Sequence, residues 1–450
     1  MASVVAKQRR YSAATVITYL IFLALSFILL LCHLSSIWKS NLASSTKSQD
    51  QDPHWGHETS PQPSPAAEIS CDRSHYHFDI CKINGPTIMD PTTSTFFVNG
   101  PAESRPITEK IRPYPRKWEN STMSRIKEVS LVSGPISPQC HVSHNAPALV
   151  FSAGGYTGNF FHEFNDGIIP LFITVNSLFS SAGQDLVLVI EKSRDWWITK
   201  YADLFRSFTK YPIVNLNNET SNHCFTSVTV GLISHGFMTI DPKLLPNSLS
   251  LFHFRAFLDQ VYELKIQNHN SNSKFLTDKP TLILISRIDG IGRVILNQDQ
   301  VKSMAEEAGF NVVVFEPTVS SHLKEAYALI NQSQVMVGVH GAGLTHFLFL
   351  RPGSVFIQVV PIGVDWAAEV CFGKPAREMG LEYMEYKIRV EESSLKGKYG
   401  KDDKVLKDPS ALQLEWSSKF KDIYLKEQNV KVDLVRFKGY LDKAYIMAKR

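Results

Sequence analysis

Residues Gln334 to Pro361 read QVMVGVHGAGLTHFLFLRPGSVFIQVVP. Val335 to His340 is a short apolar run rich in β-branched residues, with no room for helical periodicity, and it predicts a strand buried on both faces. The tight turn Gly341-Ala342-Gly343 follows directly. Leu344 to Leu350 predicts a short helix stopped by Arg351-Pro352-Gly353, and Val355 to Val360 predicts a second apolar strand. In such a turn, residues without Cβ let backbone N–H groups approach a ligand, and the helix start adds a positive dipole end that suits phosphate. A nucleotide's diphosphate is the natural occupant, although a GxG pattern also fits an ordinary strand-to-helix turn. His340 and His346 flank the glycines, at the strand's carboxyl end and in the first helical turn, where ligands of open α/β sheets bind.

The same alternation extends upstream. Leu282 to Ser286 predicts a strand, Arg287 to Arg293 a loop with two glycines, and Asn297 with Gln300 a capping box opening a helix that Gly309 ends. Asn311 to Phe315 is the next strand and Ser320 to Ile330 the next helix. An earlier series begins with the strand Ala148 to Ser152, a second glycine loop (Gly154 to Gly158) and a helix from Asn159. It continues with strands at Asp185 to Ile190, Ile213 to Leu216 and Ser227 to Ile233, and helices at Arg194 to Phe208 and Ser248 to Leu264. Strands alternating with helices argue for parallel sheets. The organisation expected is an N-terminal Rossmann-like domain (71–266) that starts with an irregular, β-containing leader, a polar linker (267–279), a second Rossmann-like domain (280–405) and C-terminal helices (406–450).

The 450 residues carry a net charge of +4 and are 44% hydrophobic and 11% aromatic, which suits large cores and gives no nucleic-acid footprint. Ala13 to Leu34 lacks Asp, Glu, Lys and Arg, and about 20 apolar residues span a bilayer as a helix. A signal anchor is therefore expected at 11–34. Lys7, Arg9 and Arg10 keep the tail (1–10) cytosolic and send the chain after the anchor into the lumen. Residues 35–70, rich in Ser, Gln, Asp and Pro, read as a flexible stem. Asn120, Asn218 and Asn331 stand in glycosylation sequons. Beyond the anchor are five cysteines, Cys71, Cys81, Cys140, Cys224 and Cys371, for which two bridges and one free thiol are expected, with Cys71–Cys81 favoured by proximity. Two Rossmann-like domains facing a cleft, behind a transmembrane helix, suggest the α/β architecture called GT-B; fold alone does not fix function.

GGYTGNFFHEFNDGIIP (Gly154 to Pro170), the run from Ser286 through Arg293 to Asn297, VGVHGAGLTHFLFLRPGS (Val337 to Ser354), PAREMGLEYMEY (Pro375 to Tyr386) and CDRSHYHFDIC (Cys71 to Cys81) resemble plant members of glycosyltransferase family 61. The resemblance runs from about Cys71 to Ser394. It implies a Golgi type II membrane enzyme with an inverting mechanism and a nucleotide-sugar donor. The acceptor is expected to be xylan, substituted with arabinofuranose or xylose from a UDP-pentose. N-glycan β-1,2-xylosyl transfer and protein O-GlcNAc transfer are the family's alternatives, and other Golgi glycosyltransferases are its expected partners.

An inverting transfer needs a base for the acceptor proton and positive groups for the leaving diphosphate. On the Asn159 helix, His162 and Asp166 are four apart and share a face, as a base and its orienting carboxylate would, while Glu163 points about 100° away and is the alternative base. Arg287, Arg293, His340, Gly341, Ala342, Gly343 and His346 are expected to hold the nucleotide-sugar, guanidinium being suited to bidentate phosphate contact. The one D-x-D, Asp50-Gln51-Asp52, lies in the stem and no His/Cys cluster has metal-ligand spacing, so a metal-independent enzyme without cofactor is expected. A carbohydrate-binding scaffold without activity would fit loss of the His162/Asp166 pair or the glycine turn, and both are present. A sulfotransferase reading lacks its phosphate loop, GxxxxGK[ST].

Overall fold

The computed structural model describes residues 68–100, 107–267, 279–287, 292–410 and 418–450. The expected tail, anchor, most of the stem with its D-x-D, and linker residues 268–278 lie outside them. Among the described residues no helix is long and apolar enough to cross a membrane.

Fifteen described strands form two sheets. The second sheet holds the Gln334–Pro361 stretch and is wholly parallel: β11 (Thr281–Ile285), β12 (Asn311–Phe315), β13 (Val335–Val339), β14 (Val355–Val360) and β15 (Glu382–Lys387) lie in the order β12-β11-β13-β14-β15. Counting from β11 this is 2-1-3-4-5, a doubly wound order whose direction reverses between β11 and β13. β13 and β14 are buried at every residue, as apolar runs covered on both faces should be. Alternate side chains divide the faces. Val335, Val337 and Val339 join a core with the Gln298–Glu307 and Leu434–Ala448 helices, while Met336 faces the Leu323–Asn331 helix and Phe347.

The first sheet is mixed. β10 (His223–Val230), β7 (Ala148–Ser152), β8 (Val187–Glu191) and β9 (Val214–Asn215) run parallel, with β6 (Val142–Ser143) beside β10. The segment expected to be an irregular leader supplies the remainder: β2 (Ile80–Asp90) pairs antiparallel with β10, β1 (Glu68–Asp72) and β3 (Thr95–Asn99), and β5 (Val129–Gly134) joins β3 to β4 (Ile107–Ile111). Its short, proline-separated strands have too little periodicity to be read alone; pairing to β10 orders them. The β1–β2 register sets Cys71 opposite Cys81, and these are disulfide-bonded, as are Cys140 and Cys224, leaving Cys371 free. Two bridges and one free thiol match the expectation.

One apolar core runs continuously from Leu149, Phe151, Leu188 and Ile190 of the first sheet through the intervening helices to Ile283, Ile285 and Phe356 of the second. Residues 65–450 accordingly form one compact unit. Arg255, 2% exposed on the Leu251–Gln267 helix, donates to the carbonyls of Phe349 and Leu350 (3.1 and 2.7 Å) and pairs with Asp259. It thereby caps the helix of the glycine-turn stretch with positive charge at its carboxyl end.

Beyond shifts of a few residues in element ends, three local expectations differ from the structure. The helix after the glycine turn starts earlier, at Ala342, and is a tight 3₁₀ helix ending at Phe349. Asn297 precedes the Gln298–Glu307 helix without capping it; its amide instead exchanges two 2.9 Å hydrogen bonds with the Val432 backbone, binding the C-terminal segment to the sheet. Asn120 and Asn218 are exposed, but Asn331 is 7% exposed with its amide nitrogen bonded to Tyr327 Oη, so the folded chain has no room for a glycan at Asn331.

Candidate active site

The carboxyl ends of strands from both sheets line a cavity of about 580 Å³. After β7 come Gly155 to Phe160 and Glu163, and the helix following β8 adds Trp196, Lys200 and Tyr201. After β11, β12 and β13 come Ser286 with Arg287, Pro317 to Val319, and Ala342, Gly343 and His346. The reversal between β11 and β13 thus opens onto the cavity, where doubly wound sheets bind ligands.

The glycine turn is shaped by two arginines. A Cβ on Gly341 would lie 2.4 Å from an Arg287 nitrogen and 2.7 Å from one of Arg293, so only glycine lets the guanidiniums close over the strand end. Gly338, deeper in β13, is packed under Leu344 and Ile285 in the same way. Arg293 donates to the His340 carbonyl (3.1 Å) and adopts a left-handed backbone (φ 58°), a strained geometry of the kind concentrated at functional sites. The Nε atoms of both arginines are buried without a hydrogen-bond partner among the described residues. Burial pushes both guanidiniums below their ordinary pKa, and for Arg293 the charge of Arg287 adds to it. They stay protonated, since arginine does not lose its proton in proteins. Adjacent buried cations are costly unless an anion joins them.

His340 lies behind the turn. Tyr383 Oη donates to Gln358 Oε1 (2.6 Å), and the Gln358 amide nitrogen in turn donates to His340 Nδ1 (2.9 Å), which puts the imidazole proton on Nε2. Burial, then Arg293 and Arg287, hold this histidine neutral, far below its ordinary value. His346 bonds through Nδ1 to the Gly343 carbonyl (2.8 Å) and stacks on Phe160 at 4.2 Å; burial pushes it down to about 4. Both are neutral polar groups beside the arginines.

The second constellation is on the helix after β7. Asn159 accepts from Phe161 N (3.1 Å) to start it, and over Glu163–Ile168 the helix widens into a π-helical turn, a feature frequent at functional sites. His162 and Asp166 meet as expected, Nδ1 to Oδ2 at 2.8 Å. Asp166 is buried and also accepts from Tyr114 Oη (2.8 Å), Arg116 (3.2 Å) and Asn165 (2.5 Å). Burial opposes its ionisation, but the charge and hydrogen bond of His162, with Arg116 and Tyr114 behind them, win and hold the carboxyl below its ordinary value. His162 Nε2 has no hydrogen-bond partner among the described residues, so a positioned imidazole presents one nitrogen for proton transfer. Tyr156, a cavity wall residue, stacks on the His162 ring at 4.0 Å.

Glu163 faces the other way, into the cavity. It accepts from Gly158 N (2.7 Å) and from Trp197 Nε1, and burial pushes its carboxyl up to about 7. Lys200, over the Phe160 ring, donates to the Val319 carbonyl (2.8 Å) across the cavity mouth. Among the described residues no group of three or more His, Cys, Asp or Glu is placed to hold a metal ion.

Of the residues expected at the site, Arg287, Ala342, Gly343, His346 and Glu163 line the cavity. Arg293, His340 and Gly341 back the glycine turn, and His162 with Asp166 lies one ring behind the wall. Tyr114, Arg116, Tyr156, Lys200 and Gln358 are additions. Tyr114 and Arg116 come from an irregular YPRKW run, and contacts made 50 residues away leave no trace in local spacing.

A cavity at the strand ends, with buried cations and an oriented imidazole beside it, suits an α/β enzyme, and comparison with known proteins specifies which kind. Residues 160–357 match the profile of the family Glycosyltransferase 61. The chain is 40% identical over 401 residues to a xylan glycosyltransferase of Arabidopsis thaliana, covering 85% of this chain and 80% of the relative. It is 36% identical over 400 residues to a beta-1,2-xylosyltransferase of Oryza sativa subsp. japonica, covering 84% of each. An alpha-1,3-arabinosyltransferase of the same species is 37% identical over 373 residues, 82% of this chain, which spans only 64% of that longer enzyme. The chain belongs to glycosyltransferase family 61: it is an enzyme that moves a sugar from a donor to a glycan acceptor.

Proposed function

We propose that the enzyme transfers a pentose, arabinofuranose or xylose, from a UDP-sugar to a xylan backbone as a side-chain substitution, with inversion, in a cleft of GT-B type. The xylan and pentose enzymes among its relatives support the substrate class. The observation that carries the chemistry is the pair of buried guanidiniums, Arg287 and Arg293, closed over Gly341 with both Nε atoms unpartnered among the described residues. A diphosphate is the anion that fits between them and the neighbouring turn amides. His162 Nε2 takes the proton of the acceptor hydroxyl as its oxygen bonds to the anomeric carbon. The bond from that carbon to the diphosphate breaks, and the arginines receive the charge of the departing UDP. Asp166, carrying its negative charge, holds the imidazole in place and stabilises it once protonated. Because the arginines supply positive charge, transfer needs no divalent cation and is expected to survive EDTA; loss with chelator and recovery with manganese would reverse this.

The catalytic domain is proposed to lie in the Golgi lumen behind the anchor, with Asn120 and Asn218 glycosylated, alongside other Golgi glycosyltransferases. Protease treatment of intact Golgi vesicles should leave it undigested. Several UDP-pentoses assayed against xylo-oligosaccharides test the substrate reading: a labelled oligosaccharide with one of them supports it, and transfer with none refutes it.

A further inference from the structure

A row of aromatic rings, exposed at both ends, passes beside the guanidinium that binds the carboxylate partner of His162. Tyr76, 70% exposed, lies nearly parallel to Trp118 with centroids 5.6 Å apart. Trp118 meets Phe237 edge-on at 6.1 Å, and Phe237 meets Trp366, 48% exposed, at 5.7 Å. The Arg116 guanidinium stands over three rings, Trp118 at 5.0 Å, Tyr156 at 5.3 Å and Phe237 at 5.9 Å. That same guanidinium forms the salt bridge to Asp166, the partner of His162.

The four rings come from four segments: the loop closed by Cys71–Cys81, the approach to Asn120, the stretch after β10 and the turn after β14. Core packing does not require the two ends, which keep aromatic surface in water, and exposed aromatic surface at both ends of one cluster marks a binding surface. The Tyr76 loop is also pre-set: besides its disulfide, Arg73 bonds Asp79, Glu109 and the Lys110 carbonyl. Beside the row, His77 lies edge-on to Trp118 at 4.7 Å with a buried Nδ1 unpartnered among the described residues.

We propose that this row is the acceptor platform, binding several consecutive residues of a β-1,4-linked xylose chain; this rests on the function proposed above. A pyranose has carbon-bound hydrogens on its faces and hydroxyls around its rim. The faces lie on the negative π-clouds of aromatic rings, and the hydroxyls stay at the solvated rim. Xylose lacks the exocyclic CH₂OH of hexoses, so its faces can approach the exposed rings closely. The ring-to-ring steps are each comparable to one sugar residue, so affinity rises with chain length, and the middle of the row, beside Arg116, brings a hydroxyl of an internal xylose toward His162.

The test is calorimetric binding of xylohexaose to the detergent-purified full-length chain with UDP present, for wild type, Tyr76→Ala, Trp366→Ala and Phe252→Ala. Phe252 is an exposed aromatic outside the row, 50% accessible. Removing either end ring should weaken hexaose binding about tenfold, the scale of one or two aromatic contacts, and Phe252→Ala should not. The thermal shift caused by UDP, unchanged in all variants, confirms folding. Wild-type affinity in both end-ring variants, or no hexaose binding by wild type, overturns the platform. Binding that depends on the rings, without pentose transfer to the hexaose, leaves the platform standing and refutes the proposed function.

Discussion

Asp166 is surrounded by four hydrogen-bond donors, so its charge is secured before any substrate arrives. In the proposed mechanism His162 and Arg293 divide the work, so their losses should differ. His162→Ala is expected to lower turnover by about a hundredfold or more with UDP affinity retained. Arg293→Ala should weaken UDP binding by about 1.5 to 3 kcal/mol, the worth of a charge-assisted contact. Normal transfer by His162→Ala would shift the base to Glu163 or Asp166. Glu163 has its own signature. Burial raises its carboxyl from 4.5 to about 7, so the folded state holds a proton there that the unfolded chain has released. Between those values the folded state binds more protons, and the contribution of this residue to stability falls as pH rises from about 4.5 through 7. Urea unfolding of wild type and Glu163→Gln across that range should show the variant gaining on wild type as pH increases, by a few kcal/mol at most. Parallel curves would mean that Glu163 titrates normally.

The glycine turn works because β13 ends without a side chain at Gly341. Gly341→Ala would place a Cβ 2.4 Å from Arg287 on a backbone with φ 147°. Its expected outcome is a folded enzyme with little or no UDP-induced thermal stabilisation, since the two guanidiniums are displaced while the core of β13 is untouched. A wild-type thermal shift would show that the arginines do not close over this position. β14 was readable because an apolar run buried on both faces is a local pattern, and it follows its expected bounds residue for residue, as does the less buried edge strand β12. Asn297 was misread because a cap and a long-range amide bridge begin with the same side chain. Whether it bonds its own helix or Val432 depends on a strand bridge formed more than a hundred residues later.

Across the described residues the two sheets share one core, and Arg255 ties the Leu251–Gln267 helix to the end of the helix after the glycine turn. Arg255→Ala would leave the Phe349 and Leu350 carbonyls and Asp259 without this donor. A loss of about 3 to 5 kcal/mol in urea unfolding is expected, the scale for breaking a buried charged network. The transition should stay single if the core is one cooperative unit; two separate transitions would show that the sheets unfold independently.

Residues close in the chain determine what can be read without tertiary contacts: the alternation of strands and helices, the two glycine turns, and the His162–Asp166 pair one helical turn apart. These arise from backbone sterics and from spacing within a few residues, which the sequence displays directly. Tertiary structure alone brought Tyr114 and Arg116 to Asp166, turned Glu163 toward the cavity beside Trp197, buried Asn331, and gathered Tyr76, Trp118, Phe237 and Trp366. Each depends on how separate segments pack, and packing is settled by the shared core and by strand pairing across long separations, to which no local period corresponds.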